Sequence, residues 1–408
     1  MLRPGRSPSV PGMTSLALAP DPSDDPDAGW SLPAWIYRDP EYFAVETARV
    51  LRPSWQIVCH VSEVAGAGDW HRLDYAGESV IVVRGEDGQL RAFTNVCRHR
   101  GSRIVDDVRG CAKKLVCPYH AWVYELDGRL SGVPQRGSYP TLDMARTGLA
   151  SVELEVWESF VFVRLEGGGP SVAEMMAPYA EEVRPYGFAD MRPLGPVRER
   201  RRTVNWKNLC DNYSDNLHVP IAHPGLKRLF GTNYETKAAP WVDWLGGPLT
   251  PDDWPASWSE RMYRKLLPET PHLPDAKRRD WWYLKLWPNI AFDIYPDQID
   301  FMQFIPVSPT ETILREICYA LPDDRREMRA ARYLNGRINR EVNREDTVLV
   351  GRVQDGMASH SFSVGPLSET EVCLRSFAAK LRRIIPEVRQ HRAPAPGWSR
   401  KYETGASA

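Results

Sequence analysis

Two strand-like runs mark the part of the chain between about residues 78 and 96, the first with four consecutive apolar residues at 80–83 and the second with mixed apolar and polar residues. Residues 78–84 and 89–96 each have the composition of a β-strand, and the segment Glu86-Asp87-Gly88 between them supplies the glycine of a tight turn. A further strand-like segment covers residues 114–116. The pattern therefore predicts an antiparallel hairpin within an all-β region that extends to about residue 166.

The pattern changes after the segment Gly167-Gly168-Gly169-Pro170, which we take as a domain boundary. Beyond it, helical spacing alternates with long strand-like segments, which cover residues 281–287, 290–295, 298–307 and 312–321. These four consecutive segments predict an antiparallel sheet. Helices are predicted over residues 34–52, over 327–356, and from the capping box Ser368-x-x-Glu371 to Pro386.

The first thirty residues are rich in proline, serine, glycine and aspartate, with too few apolar side chains to offset the entropy of ordering. We therefore expect a disordered tail over residues 1–30. A first domain with its own N-terminal helix is predicted over 31–166, and a second, larger domain over 167–408. A chain of 408 residues is long enough for two such domains.

Charge and composition exclude several classes of partner. The formal net charge of −1 gives no electrostatic footprint for nucleic acid or for an anionic membrane. No apolar run approaches the roughly 20 residues that span a bilayer, and the N-terminal region lacks the apolar core of a signal peptide. The seven cysteines do not form an evident disulfide framework, so we expect a cytoplasmic protein without nucleic-acid or membrane partners.

Two short segments carry the pattern Cys97-x-His99, seventeen intervening residues, and Cys117-x-x-His120. Two thiolates can hold one iron of a [2Fe–2S] cluster while two imidazoles hold the other, which is the ligand set of a Rieske centre. A structural zinc site with two cysteines and two histidines is the alternative, because the same side chains also suit zinc. Zinc fingers usually group their cysteines together, whereas each segment here supplies one of each, so the cluster is favoured.

A second group of metal-ligand residues lies further along the chain. His218 and His223 follow Asp211 and Asp215, and positions 211, 215 and 218 share one face if the segment is a helix. Pro220 should end that helix and let the chain turn back, so that both imidazoles converge. Two histidines and one carboxylate form the facial triad that binds non-haem Fe(II).

The carboxylate of this triad is predicted from the helix over residues 327–356. Asp346 falls on the apolar stripe of that helix, where burying a lone carboxylate costs several kcal/mol unless it is paired or bound to metal. The stripe consists of Val342, Leu349 and Val353. Glu345 and Asp355 lie near enough in sequence to compete for the same role, whereas Asp211 is left as a capping or ion-pairing residue.

Residues 95–103 and 116–124 resemble the Rieske domain of ring-hydroxylating oxygenases, as found in the alpha (terminal oxygenase) subunit. Residues 205–223 resemble the mononuclear-iron motif of the same family. The resemblance implies an α+β protein with an all-β Rieske domain and a helix-grip catalytic domain. It implies one [2Fe–2S] cluster on Cys97, His99, Cys117 and His120, and one Fe²⁺ on His218, His223 and Asp346.

The same resemblance assigns two residues near the iron. Asp215 matches the acidic residue that, in the family, links the iron-ligand histidine to a cluster histidine of the neighbouring subunit, here His218 to His120. Asn212 matches the motif's asparagine. The family's subunits meet head to tail, so a homotrimer is expected. The chain has no dinucleotide-binding glycine motif, and a ferredoxin, an NAD(P)H-dependent reductase, or both must therefore supply the electrons.

These features predict the terminal oxygenase component of a Rieske non-haem iron system, a mono- or dioxygenase that hydroxylates or oxidatively demethylates a small organic substrate. An aromatic substrate, consumed in aromatic catabolism, is the first choice, and a quaternary ammonium or betaine compound is the alternative. Tryptophans that can stack on a ring or enclose a cation are concentrated at Trp241, Trp244, Trp254, Trp258, Trp281, Trp282 and Trp287. A hypothesis of another class is a non-enzymatic Rieske electron carrier or redox sensor.

Overall fold

The structure, a computed structural model, describes residues 25–251 and 257–403. The chain divides into two compact units. The small unit comprises Arg52–Gly167 together with Ser171–Ala173, and the large unit comprises residues 25–51, Gly168–Pro170 and the described residues from 174 onward.

The small unit is all-β. Its strands are β1 Gln56–His60, β2 Asp69–Tyr75, β3 Glu78–Arg84, β4 Leu90–Thr94, β5 Arg109–Cys111, β6 Leu115–Val116, β7 Val123–Tyr124, β8 Leu130–Gly132, β9 Ser151–Trp157 and β10 Phe160–Arg164. Seven of them form a sheet in the order β1-β10-β9-β4-β3-β2-β5, and β6-β7-β8 form a second sheet. The predicted hairpin is confirmed as the antiparallel pair β3 and β4, in which Val82 lies opposite Ala92.

The large unit combines a sheet with helices. Its helices are α1 Pro40–Glu46, α2 Val172–Met176 (shared with the small unit), α3 Ala180–Val183, α4 Trp206–Ser214, α5 Val219–Ala222, α6 Pro224–Phe230, α7 Trp258–Leu266, α8 Arg326–Gly356, α9 Val372–Ile384 and α10 Arg400–Glu403. Its strands are β11 Arg192–Pro193, β12 Arg198–Arg202, β13 Glu235–Lys237, β14 Val242–Pro248, β15 Asp280–Leu286, β16 Ile290–Ile294, β17 Ile299–Ser308 and β18 Glu311–Ala320.

The large sheet is antiparallel, with the order β11-β18-β17-β16-β15-β14-β13, and β12 pairs with β18. The four strands predicted from the sequence are β15 to β18, and they pair consecutively as expected. The predicted long helix is α8. The helices α4 and α8 face one side of this sheet, because side chains of all three elements line one cavity. This sheet-and-helix arrangement gives the predicted α+β class.

The N-terminal segment corrects the predicted domain division. Residues 25–30 were expected in a disordered tail, but Asp25 is buried and its carboxylate lies 2.9 Å from Arg382 and 2.8 Å from Arg389. A buried carboxylate held by two guanidinium groups anchors the backbone around it. The remainder of the predicted tail, residues 1–24, lies outside the described residues.

The predicted N-terminal helix also belongs elsewhere. Residues 34–52 were assigned to the first domain as one helix, but the structure has a 3₁₀ turn at Ala34–Tyr37, then α1, then a π-helical turn at Thr47–Leu51. The break lies at Asp39, whose side chain caps α1. This segment is part of the large unit, in which the Tyr37 hydroxyl donates to Asp211 at 2.7 Å.

The last long helix begins later than predicted. The capping box at Ser368 and Glu371 forms only in part, because the Glu371 carboxylate accepts the Ser368 N–H at 2.6 Å while the Ser368 hydroxyl pairs with Thr370. Residues 368–371 therefore form a turn, and α9 starts at Val372. Across the described ranges, no helix has the length and apolarity that crossing a membrane requires.

Candidate metal centres

The two cysteine–histidine loops of the small unit have matching backbone shapes. In the first loop, the Gly101 N–H donates to the carbonyl of Cys97 at 3.1 Å, and in the second the Ala121 N–H donates to the carbonyl of Cys117 at 3.0 Å. Gly101 and Ala121 both have positive φ, at 74° and 54°. Each loop is thus a tight turn that places its cysteine on the buried core, where both thiols are 2 % exposed.

The two histidines of these loops lie side by side. The ring centroids of His99 and His120 are 4.7 Å apart, and His99 stacks on Trp122 at 4.8 Å. Nδ1 of His99 is buried without a hydrogen-bond partner, which normally costs about 1–3 kcal/mol. Burial and the neighbouring His120 lower the pKa of His99, so the ring is neutral and free to bind metal. These features fit imidazole ligation.

Tyr124 is a contact of this centre that the sequence did not reveal. Its hydroxyl lies 3.3 Å from Sγ of Cys97 and accepts the Arg98 N–H at 2.9 Å. Tyr124 lies on β7 and is fully buried. A hydroxyl that bonds to a ligand sulfur stabilises added electron density there and so affects the reduction potential.

In the large unit, the structure brings together the ligand atoms of His218, His223 and Asp346, which all lie within 4.8 Å of one another. Nε2 of His218 and Nε2 of His223 are 3.1 Å apart, and Oδ1 of Asp346 is 3.0 Å from the latter and 3.7 Å from the former. Three donors of this type that meet at one point make a site for a divalent metal ion.

The local backbone differs from the one we predicted for this segment. The helix α4 ends at Ser214, so positions 211, 215 and 218 do not share a helical face. His218 and His223 instead flank the short helix α5 at its two ends. Pro220 lies in the first turn of α5, where a proline is well tolerated, and so begins that turn rather than breaking a longer helix.

Carboxylates hold the outer nitrogens of both histidines. Asp215 Oδ2 lies 3.0 Å from Nδ1 of His218, and Glu345 Oε2 lies 2.8 Å from Nδ1 of His223. Burial opposes the charge on Asp215, but hydrogen bonds from His218 and Leu217 lower its pKa overall. Such contacts fix the ring so that Nε2 faces the metal position. Glu345 therefore contacts the outer nitrogen of His223, whereas Asp346 contacts the inner one.

Of the other residues that the sequence placed near the iron, Asn212 contacts the triad and Asp355 does not belong to it. Asn212 Nδ2 donates to Oδ1 of Asp346 at 3.0 Å and lies 3.4 Å from Nε2 of His218, so it orients the triad. Asp355 is exposed on α8 and is not part of the group. Val353, predicted on the same apolar stripe as Asp346, is 47 % exposed, because the buried face of the last turns of α8 contains Val350 and Gln354 instead.

The triad borders a cavity of about 120 Å³. The sheet supplies part of its wall, with Tyr283, Asp293, Tyr295, Met302, Phe304 and Leu314. The helices α4 and α8 supply the opposite wall. The lining residues of α8 follow the helical spacing of about three to four positions, and they include Asn339, Val342, Asn343 and Asp346. Tyr213 and Tyr234 add two further aromatic rings.

The predicted tryptophan cluster does not line this cavity. Trp254 lies outside the described residues. None of the other six is among the cavity residues, and Trp281 and Trp282 are fully buried. Tyrosines occupy the wall instead. Tyr283 of β15 lies opposite Asp293 of β16, and Tyr295, two residues further on, just follows β16. The strand pairing that brings these residues to one wall is not visible in the sequence.

Comparison with known proteins agrees with both centres. The family described as "Rieske [2Fe-2S] domain" matches residues 54–148, and "Ring hydroxylating alpha subunit (catalytic domain)" matches residues 188–387. The chain belongs to the Rieske oxygenase alpha-subunit family. A Rieske domain binds a [2Fe–2S] cluster and the catalytic domain of this family binds mononuclear iron, and the orphaned Nδ1 of His99 and the converging triad fit these two groups.

Two curated relatives in this family act on different compounds. The carnitine monooxygenase oxygenase subunit of Escherichia coli K12 is 35 % identical over 203 residues, which are 49 % of this chain and 54 % of that protein. The 2-aminobenzenesulfonate 2,3-dioxygenase subunit alpha of an Alcaligenes species is 28 % identical over 287 residues, which are 69 % and 72 % of the two chains. The first alignment thus spans about half of the relative's length.

The Rieske oxygenase fold is also seen in solved structures. A quaternary ammonium Rieske monooxygenase in complex with an inhibitor aligns with a TM-score of 0.76 at 22 % identity, over 90 % of this chain and 98 % of that one. This agreement confirms the predicted pair of domains as a fold: an all-β Rieske domain and an α+β catalytic domain.

Proposed function

We propose that this protein is the terminal oxygenase component of a Rieske system and that its substrate is a quaternary ammonium compound. The observation that carries the proposal is the composition of the cavity beside the iron triad. Four tyrosine rings, Tyr213, Tyr234, Tyr283 and Tyr295, surround one buried carboxylate, Asp293. This order of preference reverses the one that the sequence suggested.

A wall of this kind favours a cation that carries no hydrogen-bond donors. The Tyr213 hydroxyl donates to Asp293 at 2.5 Å and the Tyr295 hydroxyl at 3.3 Å, so both phenols are committed to the carboxylate. Their rings remain available as faces of negative potential, which attract a trimethylammonium group by about 0.5–2 kcal/mol each. The carboxylate adds charge without offering a proton donor to the substrate.

The residues of the iron site have separate tasks in this reaction. When bound, the cluster supplies electrons one at a time and the mononuclear iron supplies the oxygen chemistry. His218, His223 and Asp346, which all line the cavity, would hold that iron. Asp215 and Glu345 keep the two rings oriented, and Asn212 fixes the Asp346 carboxylate.

The apolar and aromatic wall excludes bulk water from the substrate. In the overall reaction, one atom of O₂ enters the substrate and the other leaves as water, with two electrons from NAD(P)H. Hydroxylation of a carbon bonded to the ammonium nitrogen breaks the C–N bond and yields a tertiary amine and an aldehyde. This is the oxidative demethylation or cleavage expected of the class.

An aromatic acid is the second candidate. The Alcaligenes relative is named for an aminobenzenesulfonate, and Phe304 and Tyr283 offer flat rings on the cavity wall. The buried Asp293 opposes this candidate, because an aromatic acid carries no cationic group to pair with this carboxylate.

The test is substrate depletion by the loaded enzyme with a reductase, NADH and O₂, followed by mass spectrometry. Trimethylammonium compounds and benzene sulfonates or carboxylates form the two panels. Loss of the ammonium compounds with release of the corresponding amine supports the proposal, whereas loss of the aromatic acids alone contradicts it. Iron analysis separates the carrier hypothesis, since an oxygenase holds about three iron atoms per chain and a carrier about two.

We also propose a homotrimer that receives electrons from an NAD(P)H-dependent reductase, directly or through a ferredoxin. Rieske oxygenases work with such donors and form multimers, and the family's head-to-tail contacts close into a ring. Mass photometry of the purified protein should give about three times the 46.4 kDa chain mass.

A further inference from the structure

Arg202 is the only strongly basic side chain among the described residues that line the cavity. It is the last residue of β12, the strand that pairs with β18 at the side of the sheet, and it is partly buried. Its guanidinium donates to Oδ1 of Asn343 at 3.0 Å and to the carbonyl of Arg201 at 3.4 Å. A guanidinium has five N–H donors, so several remain for a ligand.

The neighbouring arginines of β12 are neutralised by carboxylates, and Arg202 is not. Arg200 forms an ion pair with Glu316, and Arg201 forms one with Glu311. No carboxylate of the described residues lies within 4.0 Å of the Arg202 guanidinium, whose polar contacts are the two neutral oxygens of Asn343 and Arg201. Burial accordingly lowers the pKa of Arg202. A partly buried guanidinium without a counter-charge is a site for an anion.

Strand order places Arg202 far from the carboxylate of Asp293. The order β12-β18-β17-β16 separates their strands laterally by three spacings, or about 14 Å. The register adds a stagger along the strands, because Arg202 pairs with Thr312 of β18, whereas Asp293 lies level with Cys318 through Asp300. The arginine side chain spans part of that distance and the aspartate little of it. Between them lie Leu314 and Phe304, which face each other on β18 and β17. The cavity therefore has a negative end and a positive end joined by an apolar middle.

We propose that Arg202 binds the carboxylate of the substrate, and hence that the preferred substrate is a zwitterion with a quaternary ammonium group at one end and a carboxylate at the other. This inference rests on the proposed function for the cation. Asn343 holds the guanidinium in place, and the planar fork then meets a carboxylate with two parallel hydrogen bonds. Arg202 is a specificity-determining residue and does not take part in bond breaking.

The experiment compares holoenzyme variants on a matched pair of substrates. γ-Butyrobetaine or glycine betaine supplies the carboxylate, and choline, with a hydroxyl in its place, lacks it. We expect Arg202→Gln to lower kcat/KM for the carboxylates by roughly tenfold or more and to leave choline turnover within about twofold. Anaerobic calorimetry should show the same loss in Kd for the carboxylates, and Arg202→Lys should restore part of it.

Arg201→Gln is the matched control, because Arg201 lies on the same strand but pairs with Glu311. It should leave both substrates unaffected. Iron content and thermal melting establish that each variant folds. If Arg202→Gln does not fold, Arg202→Lys replaces it as the test variant. Equal losses on betaines and choline, or no loss on either, would overturn the role of Arg202 alone. A wild-type enzyme that neither binds nor oxidises any quaternary ammonium compound would overturn the proposed function, and the inference with it.

Discussion

Single side chains set the electronic properties of both centres. At the cluster loops, one hydroxyl, that of Tyr124, bonds to Cys97, and in the large unit one carboxylate, that of Asp293, gives the cavity its charge. Tyr124 is the last residue of the family-like segment 116–124 but is not one of the four predicted cluster ligands, and Asp293 lies outside both motifs. Motifs specify which atoms hold a metal, whereas the residues that tune its surroundings come from strands that fold against the motif.

Replacing Tyr124 by Phe should lower the reduction potential of the cluster. The hydroxyl lies 3.3 Å from Sγ of Cys97, and losing one hydrogen bond of about 0.5–1.5 kcal/mol corresponds to roughly 20–60 mV for a one-electron couple. A redox titration followed by circular dichroism measures the shift. Tyr139→Phe is the control, since Tyr139 contacts the edge of His99 through its ring. An unchanged potential in Tyr124→Phe would show that the hydroxyl does not reach the cluster.

Replacing Asp293 by Asn should weaken substrate binding and stabilise the fold. Burial raises the pKa of Asp293 to about 6, against the hydrogen bonds from Tyr213 and Tyr295. A folded-state pKa above the usual 3.8 means that ionisation costs stability, a cost that is small near pH 4, grows as the pH rises and is fully present once the pH is well above about 6. The variant should therefore melt at a higher temperature than the wild type at pH 7.5 but not at pH 4.

The same substitution should raise Kd for a trimethylammonium ligand roughly tenfold at pH 7.5, measured by anaerobic calorimetry. Wild-type affinity should fall as the pH drops through about 6, because the carboxylate then takes up a proton, and this fall should vanish in the variant. Asp280→Asn is the control, because Asp280 is also buried with a raised pKa but lies outside the cavity. Unchanged ligand affinity in Asp293→Asn would contradict the assigned role of this carboxylate.

Helices and strands could be predicted where the sequence pattern that indicates them lies within the element itself. Strand-like segments on either side of a glycine turn predicted β3 and β4, and strand-like composition predicted β15 to β18. The histidine segment shows the limit. We expected one helix broken at Pro220, but the chain leaves the helix at Ser214, since Asp215 is extended and caps the next turn through the Leu217 and His218 N–H groups.

The cavity wall was missed for a related reason. Which face of a strand a tyrosine occupies depends on register and on the elements packed above it, and one sequence shows neither. The position of Arg202 in that wall was missed for the same reason. Its partner Thr312 on β18 and its contact Asn343 on α8 lie more than a hundred residues away.

The helix α1 is held to α4 by a fully buried ion pair that no local pattern indicates. Lys207 lies 2.9 Å from the Glu46 carboxylate, and both side chains are 0 % exposed. The Trp206 indole donates to the same carboxylate at 2.8 Å, and the Lys207 ammonium lies about 5.0 Å from the ring centres of Tyr37 and Tyr42. This pair explains why the N-terminal segment belongs to the large unit.

Lys207→Met should destabilise the large unit by about 3–5 kcal/mol, because it leaves Glu46 buried without its counter-charge. The double variant with Glu46→Gln should recover most of that loss. Urea unfolding followed by tryptophan fluorescence measures both, and Lys265→Met, an exposed lysine on α7, is the control. If the single and double variants lose the same stability, the packing of the lysine stem matters and the charge pair does not.

At the scale of the whole molecule, the two candidate metal centres lie in different units of the chain. The small unit holds the loops of Cys97 and Cys117, and the large unit holds the triad. An electron entering at one centre must reach the other, either within a chain or between chains. Asp215, which holds Nδ1 of His218, is the residue that we predict to make the link to the neighbouring subunit's His120.

Mixed oligomers decide between these two routes. Cys97→Ser should abolish the cluster and Asp346→Ala the mononuclear iron, so that neither variant alone turns over substrate. If electrons pass head to tail between subunits of a trimer, a working site needs an intact iron next to an intact cluster. Random 1:1 co-assembly gives this at one in four contacts, so the co-expressed mixture should regain about a quarter of wild-type activity.

Mixing the preformed oligomers is the control and should give none. Because transfer within one chain would leave every chain of the mixture without one of its two centres, a co-expressed mixture that stays inactive while forming mixed trimers would refute transfer between subunits.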